Sequence, residues 1–393
     1  MNNKIYKNLY NINIKMESKK KNKTTINYPE VSNITSKDDI MKFKIANTNV
    51  SFVNALRRTI LSDIPVACFI TSPYEKNTCN ISINTTRLNN EILKQRLSCI
   101  PVFIDDLDIP IDNFQVELDE INDTNSFKYI TTKDFKIKDL ASDKYLTESQ
   151  VQKIFPPDPK TKDFILFARL RPKLANNLTG ERIKFKSILS ISTAVENGSF
   201  NVVSTCAYEF TGDEKKQKDE WSKVEKTIEG KSNKEINKMK KNWFHLEAKR
   251  FYKKNEFNFI IETIGIFKNR DIIKKACSVI TDRLNKVMEK ITNSDSLVVQ
   301  SETTIPNSFD VTLVDEDYTV GKIIEYIIYE LYFNKGDELC YVGFVKKHPH
   351  DSDSIIRIAF NNEDKSSKEN VRDIFRFSVE QCKIIINGIS NQI

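Results

Sequence analysis

Two adjacent arginines, Arg57 and Arg58, are the residues of this chain whose type and spacing say most about chemistry. They stand in "SFVNALRRTILSDIP", residues 51–65. Advancing about 100° per residue, Phe52, Val53, Leu56 and Ile60 share one arc of a helix, a core face. Asn54, Arg57, Arg58 and Leu61 occupy the other side. An ordinary solvated face is one reading. Leu61 among the charges favours another, because arginine beside an exposed apolar side chain suits an anchor on a protein partner.

Other constellations carry less. No Walker-type loop, GxSxG, HExxH or Cys–His signature occurs, so no intrinsic catalysis and no cofactor are expected. His348 and His350, near Asp351 and Asp353, read as a solvated turn rather than a metal site. Asp105, Asp106, Asp108 and Asp112 form a carboxylate run with no phosphate-binding glycines or lysines nearby. Seven scattered cysteines without a CxxC pair fit neither a disulfide framework nor zinc, and read as reduced thiols in a cytosol-like compartment. No apolar run approaches the roughly 20 residues of a membrane span, and no signal peptide opens the chain, so a soluble, non-secreted protein is expected.

Of the formal charge of +7, residues 1–24 contribute seven lysines against one acid and residues 213–254 fourteen Lys/Arg against eight acids, leaving the remainder mildly acidic. Such segments suit nucleic acid or an acidic partner, and equally serve as solubilising flanks. Trp221, Trp243, Phe244, Phe251 and Tyr252 lie among the lysines of the second segment. That mixture is the basis of an alternative function, a stand-alone single-strand nucleic-acid-binding transcription accessory protein.

The elements that would position these residues follow from periodicity. The first 30 residues read as a basic flexible tail, with order starting near Tyr28. "MKFKIAN" alternates as a half-buried strand; Ser51 then caps a helix that Asp63 and Pro65 end. "TCNISINTT" is a strand, and "NNEILKQRLSCIPVFID" a short helix running into a proline-broken strand. Residues 105–212 hold several β-like runs between loop signals, a β-rich insert, and 213–254 reads as a solvated helix or partly disordered segment. "EFNFIIETIGIF" is a strand. A long helix follows with Ile272, Ala276, Ile280, Leu284, Val287 and Ile291 on one stripe, which needs a partner surface. Residues 293–308 read as a linker. Beyond it come a strand, the helix "YTVGKIIEYIIYEL", a strand pair around a His-Pro turn, and a closing helix. The closing helix has a Ser366/Glu369 capping-box pattern and Ile374, Cys382, Ile385 and Ile389 on its apolar side.

The chain repeats itself. Ser51–Arg58 aligns with Thr319–Tyr326: each has a hydroxyl at its start and the same inward apolar positions, each lies between strands, and each region leads to a long amphipathic helix. Val320, Ile323, Ile324, Ile327 and Ile328 keep the inward arc, while Lys322, Glu325, Tyr326 and Tyr329 replace the outward one. The arginine pair is therefore a poor candidate for holding the fold and a better one for gripping another subunit.

"FVNALRRTILSDIP", "NNEILKQRLSCIPV" and "FNFIIETIGIFKNRDIIKKACSVI" resemble, in that order, the assembly subunit of cellular RNA polymerases, the alpha subunit of bacteria and the third-largest subunit of eukaryotic RNA polymerase II. "LVDEDYTVGKIIEYII" and "YVGFVKKHPHDSDSIIRIAF" resemble its small dimerisation partner, the eleventh subunit. A single fused chain is similar to the polymerase subunit of large cytoplasmic DNA viruses. The resemblance implies an α+β fold: two dimerisation domains, 31–104 plus 255–292 and 309–393, packed through their long helices as an intramolecular pseudo-heterodimer, the first interrupted by the β insert. It implies a non-catalytic assembly platform that docks on the second-largest subunit through Asn54, Arg57, Arg58 and Leu61. Its partners would be the two large subunits and small polymerase subunits, with DNA and RNA met only through the complex, no membrane, and no separate dimerisation partner needed. Host cytoplasm (viral factory) and virion are the implied locations, or the nucleus if the chain is cellular. Some relatives bind zinc or an iron–sulfur cluster through clustered cysteines; residues 105–212 hold only Cys206, so no metal is expected.

Overall fold

A computed structural model of the chain describes residues 28–173, 175, 179–228 and 232–393. Most of the expected basic tail lies outside the described residues. Among those described, eight α-helices occur: α1 (Val50–Ser62), α2 (Asn90–Ser98), α3 (Glu148–Ile154), α4 (Glu214–Lys226), α5 (Asn233–His245), α6 (Asn269–Asn293), α7 (Tyr318–Ile328) and α8 (Lys368–Ser390). None is long and apolar enough to cross a membrane. The fold is mixed α+β, in two compact units.

The first unit combines residues up to Thr59, Thr205–Glu262 and Ile273–Ile393. One of its four-stranded sheets runs Glu30–Lys37, Ile40–Ala46, Tyr252–Thr263, Val203–Gly212. Alternation places Met41, Phe43 and Ile45 in the core, and Phe43 stacks on its cross-strand partner Phe259 with centroids 5.1 Å apart. The other sheet runs Val298–Gln300, Ser308–Leu313, Ser354–Phe360, Leu339–Val345. The expected linker thus contains a short strand that adds an edge to this sheet.

Helix starts differ from expectation in the same way in both copies of the repeat. Asn49 caps α1: its Oδ1 accepts from the Ser51 N–H and the Ser51 hydroxyl, each at 2.9 Å. Asp317 caps α7, accepting from the Thr319 N–H at 2.9 Å. Each cap lies two residues before the expected hydroxyl, because an Asx side chain reaches the N–H two residues on. The aligned register survives. α8 starts from Ser367, which accepts from the Asn370 N–H, so the Ser366/Glu369 box does not form.

The second unit holds residues 60–204 and 263–272, wider than the expected 105–212. Strand pairing explains the difference. Cys79–Asn84 pairs with Arg182–Ile188, which continues to Phe114–Ile121, Lys136–Asp139 and Lys144–Tyr145, whereas Val203–Gly212 joins the first unit's sheet. Phe135 sits at the centre of its core, edge-on to Phe155, Phe167 and Phe185 at 5.5–5.7 Å. Residues 99–113, directly after α2, form no strand: Pro101 and Pro110 remove ladder donors there, although Val102 and Ile104 are buried. α3 was not legible as a helix at seven residues; its capping box, Thr147 with Gln150, was the available signal.

The lysine-rich segment is a pair of helices, α4 and α5, with an aromatic nucleus. Trp221 and Trp243 centroids lie 5.7 Å apart, and Trp243 stacks on Phe251 at 6.1 Å. Trp221 is 4% exposed.

Candidate functional site

α1 carries the four residues expected to dock a partner, and all four are half-buried. Its inward face behaves as the periodicity requires: Phe52, Val53, Leu56 and Ile60 are buried without exposure. Asn54 and Arg57 are one turn apart and joined, the Asn54 Oδ1 accepting from Arg57 Nε at 3.1 Å and Nη2 at 3.0 Å. That bond lays the guanidinium along the helix.

Arg58 is a different case. Its Nη2 pairs with the Asp317 carboxylate, and its Nε–H donates to Thr319 Oγ1 at 2.8 Å. Both partners form the N-terminus of α7, in the second copy of the repeat. The expectation that neither arginine holds the fold is corrected for Arg58: it ties the first copy to the second. The physical reason is that the α7 cap is an acid, and its carboxylate is in reach.

Neighbouring cations do the same. Arg283 of α6 donates from Nε to Glu316 Oε1 and Oε2 at 3.2 and 3.1 Å, and from Nη2 to Oε2 at 2.6 Å; its Nη2 also lies 3.6 Å from Asp317. Lys290, two turns on, pairs with Asp315 at 3.1 Å and donates to the Val314 carbonyl at 3.2 Å. Three consecutive acids, Asp315, Glu316 and Asp317, each meet a cation from the first copy. Glu316 is 7% exposed, so its bidentate arginine is what makes its burial tolerable. Burial opposes ionisation of Asp317. The Thr319 N–H and hydroxyl, then Arg58 and Arg283, outweigh it, and its pKa lies below the ordinary value.

The repeat places Tyr326 where α1 has Arg58. Tyr326 reaches the other helix start in return: its ring is edge-on to Phe52 at 6.2 Å, and it lines a cavity of about 90 Å³ with Asn47, Thr48 and Asn49. The same helical position in each copy thus contacts the start of the other copy's helix, by charge in one direction and by an aromatic ring in the other.

The long-helix residues Ile272, Ala276, Ile280, Leu284, Val287 and Ile291 on α6, and Ile374, Cys382, Ile385 and Ile389 on α8, are all buried. Polar side chains link the helices: Lys383 Nζ donates to Asn285 Oδ1 at 3.0 Å, and Arg372 Nε to the Ile291 carbonyl at 3.4 Å. Cys382 faces its own half, its Sγ 3.5 Å from the Ile323 carbonyl of α7.

Among the described residues no three His, Cys, Asp or Glu side chains converge as metal ligands would. His348 and His350 occupy a turn in which the His348 Nδ1 accepts from the His350 N–H at 3.2 Å. Of the aromatics of the lysine-rich segment, Trp221, Trp243, Phe244 and Phe251 pack on one another, and Tyr252 packs on Phe210 of the neighbouring strand. The acidic run Asp315–Asp317 is the feature the sequence reading passed over. Its signal was three successive acids directly before a helix, opposite a first copy whose cations had no assigned intramolecular use.

A stretch of 75 residues is 37% identical to DNA-directed RNA polymerases IV and V subunit 3B of Arabidopsis thaliana, covering 19% of this chain and 21% of that protein. Over 94 residues the chain is 34% identical to DNA-directed RNA polymerase subunit Rpo3 of Pyrococcus furiosus, covering 24% and 31% of the two. Over 80 residues it is 31% identical to DNA-directed RNA polymerase II subunit rpb3 of Dictyostelium discoideum, covering 20% and 24%. The chain therefore spans under a third of the length of the curated relatives it matches. Residues 42–284 match as a family unit, more than half of the chain and inclusive of α1, the β-rich unit and most of α6; the chain belongs to the RNA polymerase Rpb3/Rpb11 dimerisation domain family.

Proposed function

We propose that this chain is a non-catalytic assembly-platform subunit of a multisubunit DNA-directed RNA polymerase, recruiting the two large catalytic subunits. In this reading its two halves stand for the third-largest subunit and its eleventh-subunit partner, fused as in large DNA viruses, and it works in the viral factory and virion, or in the nucleus if cellular. One observation carries the proposal. The family match ends within α6, and the cations of that matched region, Arg58 and Arg283, close on the acids that open the second copy's helix. A dimerisation module that holds its partner copy in the same chain needs no second chain to complete it.

Docking on the second-largest subunit falls to Asn54, Arg57 and Leu61, since Arg58 is bonded across to α7 whereas the Asn54–Arg57 bond stays within α1. Tagged protein from expressing or infected cells should bring down both large polymerase subunits; capture of neither overturns the proposal. Arg57→Glu should lower that capture at least about tenfold, equal to ~1.4 kcal/mol, with unchanged thermal stability. Full assembly by this variant would remove α1 as the dock.

A further inference from the structure

We propose that the outer face of α5 binds the phosphate backbone of a nucleic-acid duplex. In α5, Ile236, Met239 and Trp243 turn toward the hairpin and are half-buried, whereas Lys234, Lys238, Lys241 and His245 are exposed. At about 100° per residue those four side chains fall within an arc of about 60° opposite the apolar side. They extend along about 16 Å of helix axis. A duplex carries about one charge per 1.7 Å, so several phosphates lie within their reach.

The face is cationic because its acids are used elsewhere. Glu235, the one acid of α5, is folded back onto the Ser232 N–H and hydroxyl at 3.0 and 2.8 Å as a capping box. Among the described residues no carboxylate pairs with Lys234, Lys238 or Lys241. By contrast three of the five α4 lysines are paired: Lys216 meets Asp213 at 3.6 Å, Lys218 meets Glu214 at 3.7 Å and Lys223 meets Glu220 at 2.6 Å. Lys240 is also diverted, lying over the Trp221 ring at 5.9 Å.

The stripe is presented on an ordered support. The Trp221–Trp243–Phe251 nucleus holds α4 to α5. Gln217 Nε2 donates to the Ala248 and Phe251 carbonyls, each at 3.0 Å, and the Asp213 N–H donates to Phe251 O at 3.0 Å, which anchors the hairpin to the strand ends. Packing of the tryptophans inward removes base stacking, the usual grip on single strands, and leaves charge alone. A protein partner fits this face less well, since lysine is depleted at protein interfaces and no apolar side chain lies within the arc. The hairpin's own packing and charge make this face, so duplex binding stands or falls separately from the assembly reading.

The test uses the full chain, which keeps the lysines of residues 1–24 constant. Affinity for a fluorescent random-sequence DNA duplex is measured between low and moderate salt for the wild type and for Lys234→Gln/Lys238→Gln/Lys241→Gln. The salt slope should become shallower by about 2.7, three released counterions at about 0.9 each. The Lys→Arg triple variant should retain the wild-type slope. An unchanged slope in the Gln variant overturns the proposal, as does loss of the slope in the Arg variant. Retained duplex binding with lost binding of polyglutamate assigns the face to an acidic polypeptide and overturns it as well.

Discussion

Asp317 serves three groups with one carboxylate: the Thr319 N–H that it caps, Arg58 of α1 and, at longer range, Arg283 of α6. Its pKa is held below the ordinary carboxylate value of about 3.9. A carboxyl depressed in the folded state contributes stability above the unfolded value, and loses it as pH falls through the folded one. Asp317→Asn keeps a good cap but discards the charge. Its thermal midpoint at pH 7 should fall by about 2 °C, on the order of 1 kcal/mol for a partly exposed pair, and the gap to wild type should be narrower at an acid pH below the ordinary carboxylate value. An equal gap at both pH values would show that charge is not what this residue contributes. Asp317→Ala, lacking cap and charge, should lose about 1 kcal/mol more. The Arg-Arg pair itself was legible in the sequence as unusual. That its members divide, Arg57 bonded within the helix to Asn54 and Arg58 bonded across to α7, was not, because adjacent helical residues diverge by about 100° and only folding decides what each direction meets.

At the scale of elements, the repeat is accurate in register and inaccurate in what fills it. Val53 of α1 aligns with Gly321 of α7. A Cβ built on Gly321 would lie 2.0 Å from Cε2 and 2.5 Å from Cδ2 of Phe344, on the strand Leu339–Val345. Glycine inside a helix costs about 1 kcal/mol relative to alanine; here it admits the ring. Gly321→Val, the first copy's own residue, should destabilise by about 2–3 kcal/mol through overpacking, read as a lower thermal midpoint. Phe344→Ala should remove part of that penalty when added to the valine variant. If Gly321→Val melts with the wild type, the ring is not the constraint. Periodicity identified the inward arc of both helices because burial of a stripe is a local property. The glycine and its ring come from different elements of that copy, and no spacing within α7 announces them.

The whole first unit is closed on itself by contacts between residues far apart in the chain. The Val31 N–H donates to Gln392 Oε1 at 3.0 Å, and Gln392 Nε2 donates to the Pro29 carbonyl at 2.8 Å, across 361 and 363 residues. A Cβ on Gly388 of α8 would lie 2.8 Å from the Tyr28 ring. With the Asp315–Asp317 junction and the α6–α8 links, these bonds join the two copies at several separate places. A covalent tether places such surfaces at an effective concentration of about millimolar, and contacts this numerous should hold the copies together once formed, without it. A protease site introduced at the exposed Thr303–Thr304 step should therefore yield two fragments in denaturant and a single species by native size exclusion after cleavage. Separation of the fragments under native conditions would mean that the connection, not the contact, holds the copies together.

The sequence by itself determined the α+β character, the core faces of α1, α6, α7 and α8, the internal repeat and the family resemblance, since each rests on local periodicity or an ordered series of motifs. It also marked the lysine-rich segment as distinct in charge. Tertiary structure decided which acids the cations meet, which strands the β-rich unit recruits from outside 105–212, and that the tryptophans of 213–254 turn inward. The reason is the same in each case. A hydrophobic stripe is buried whatever covers it, whereas an ion pair, a strand register or an aromatic nucleus exists only between particular residues that the fold brings within a few ångströms of one another.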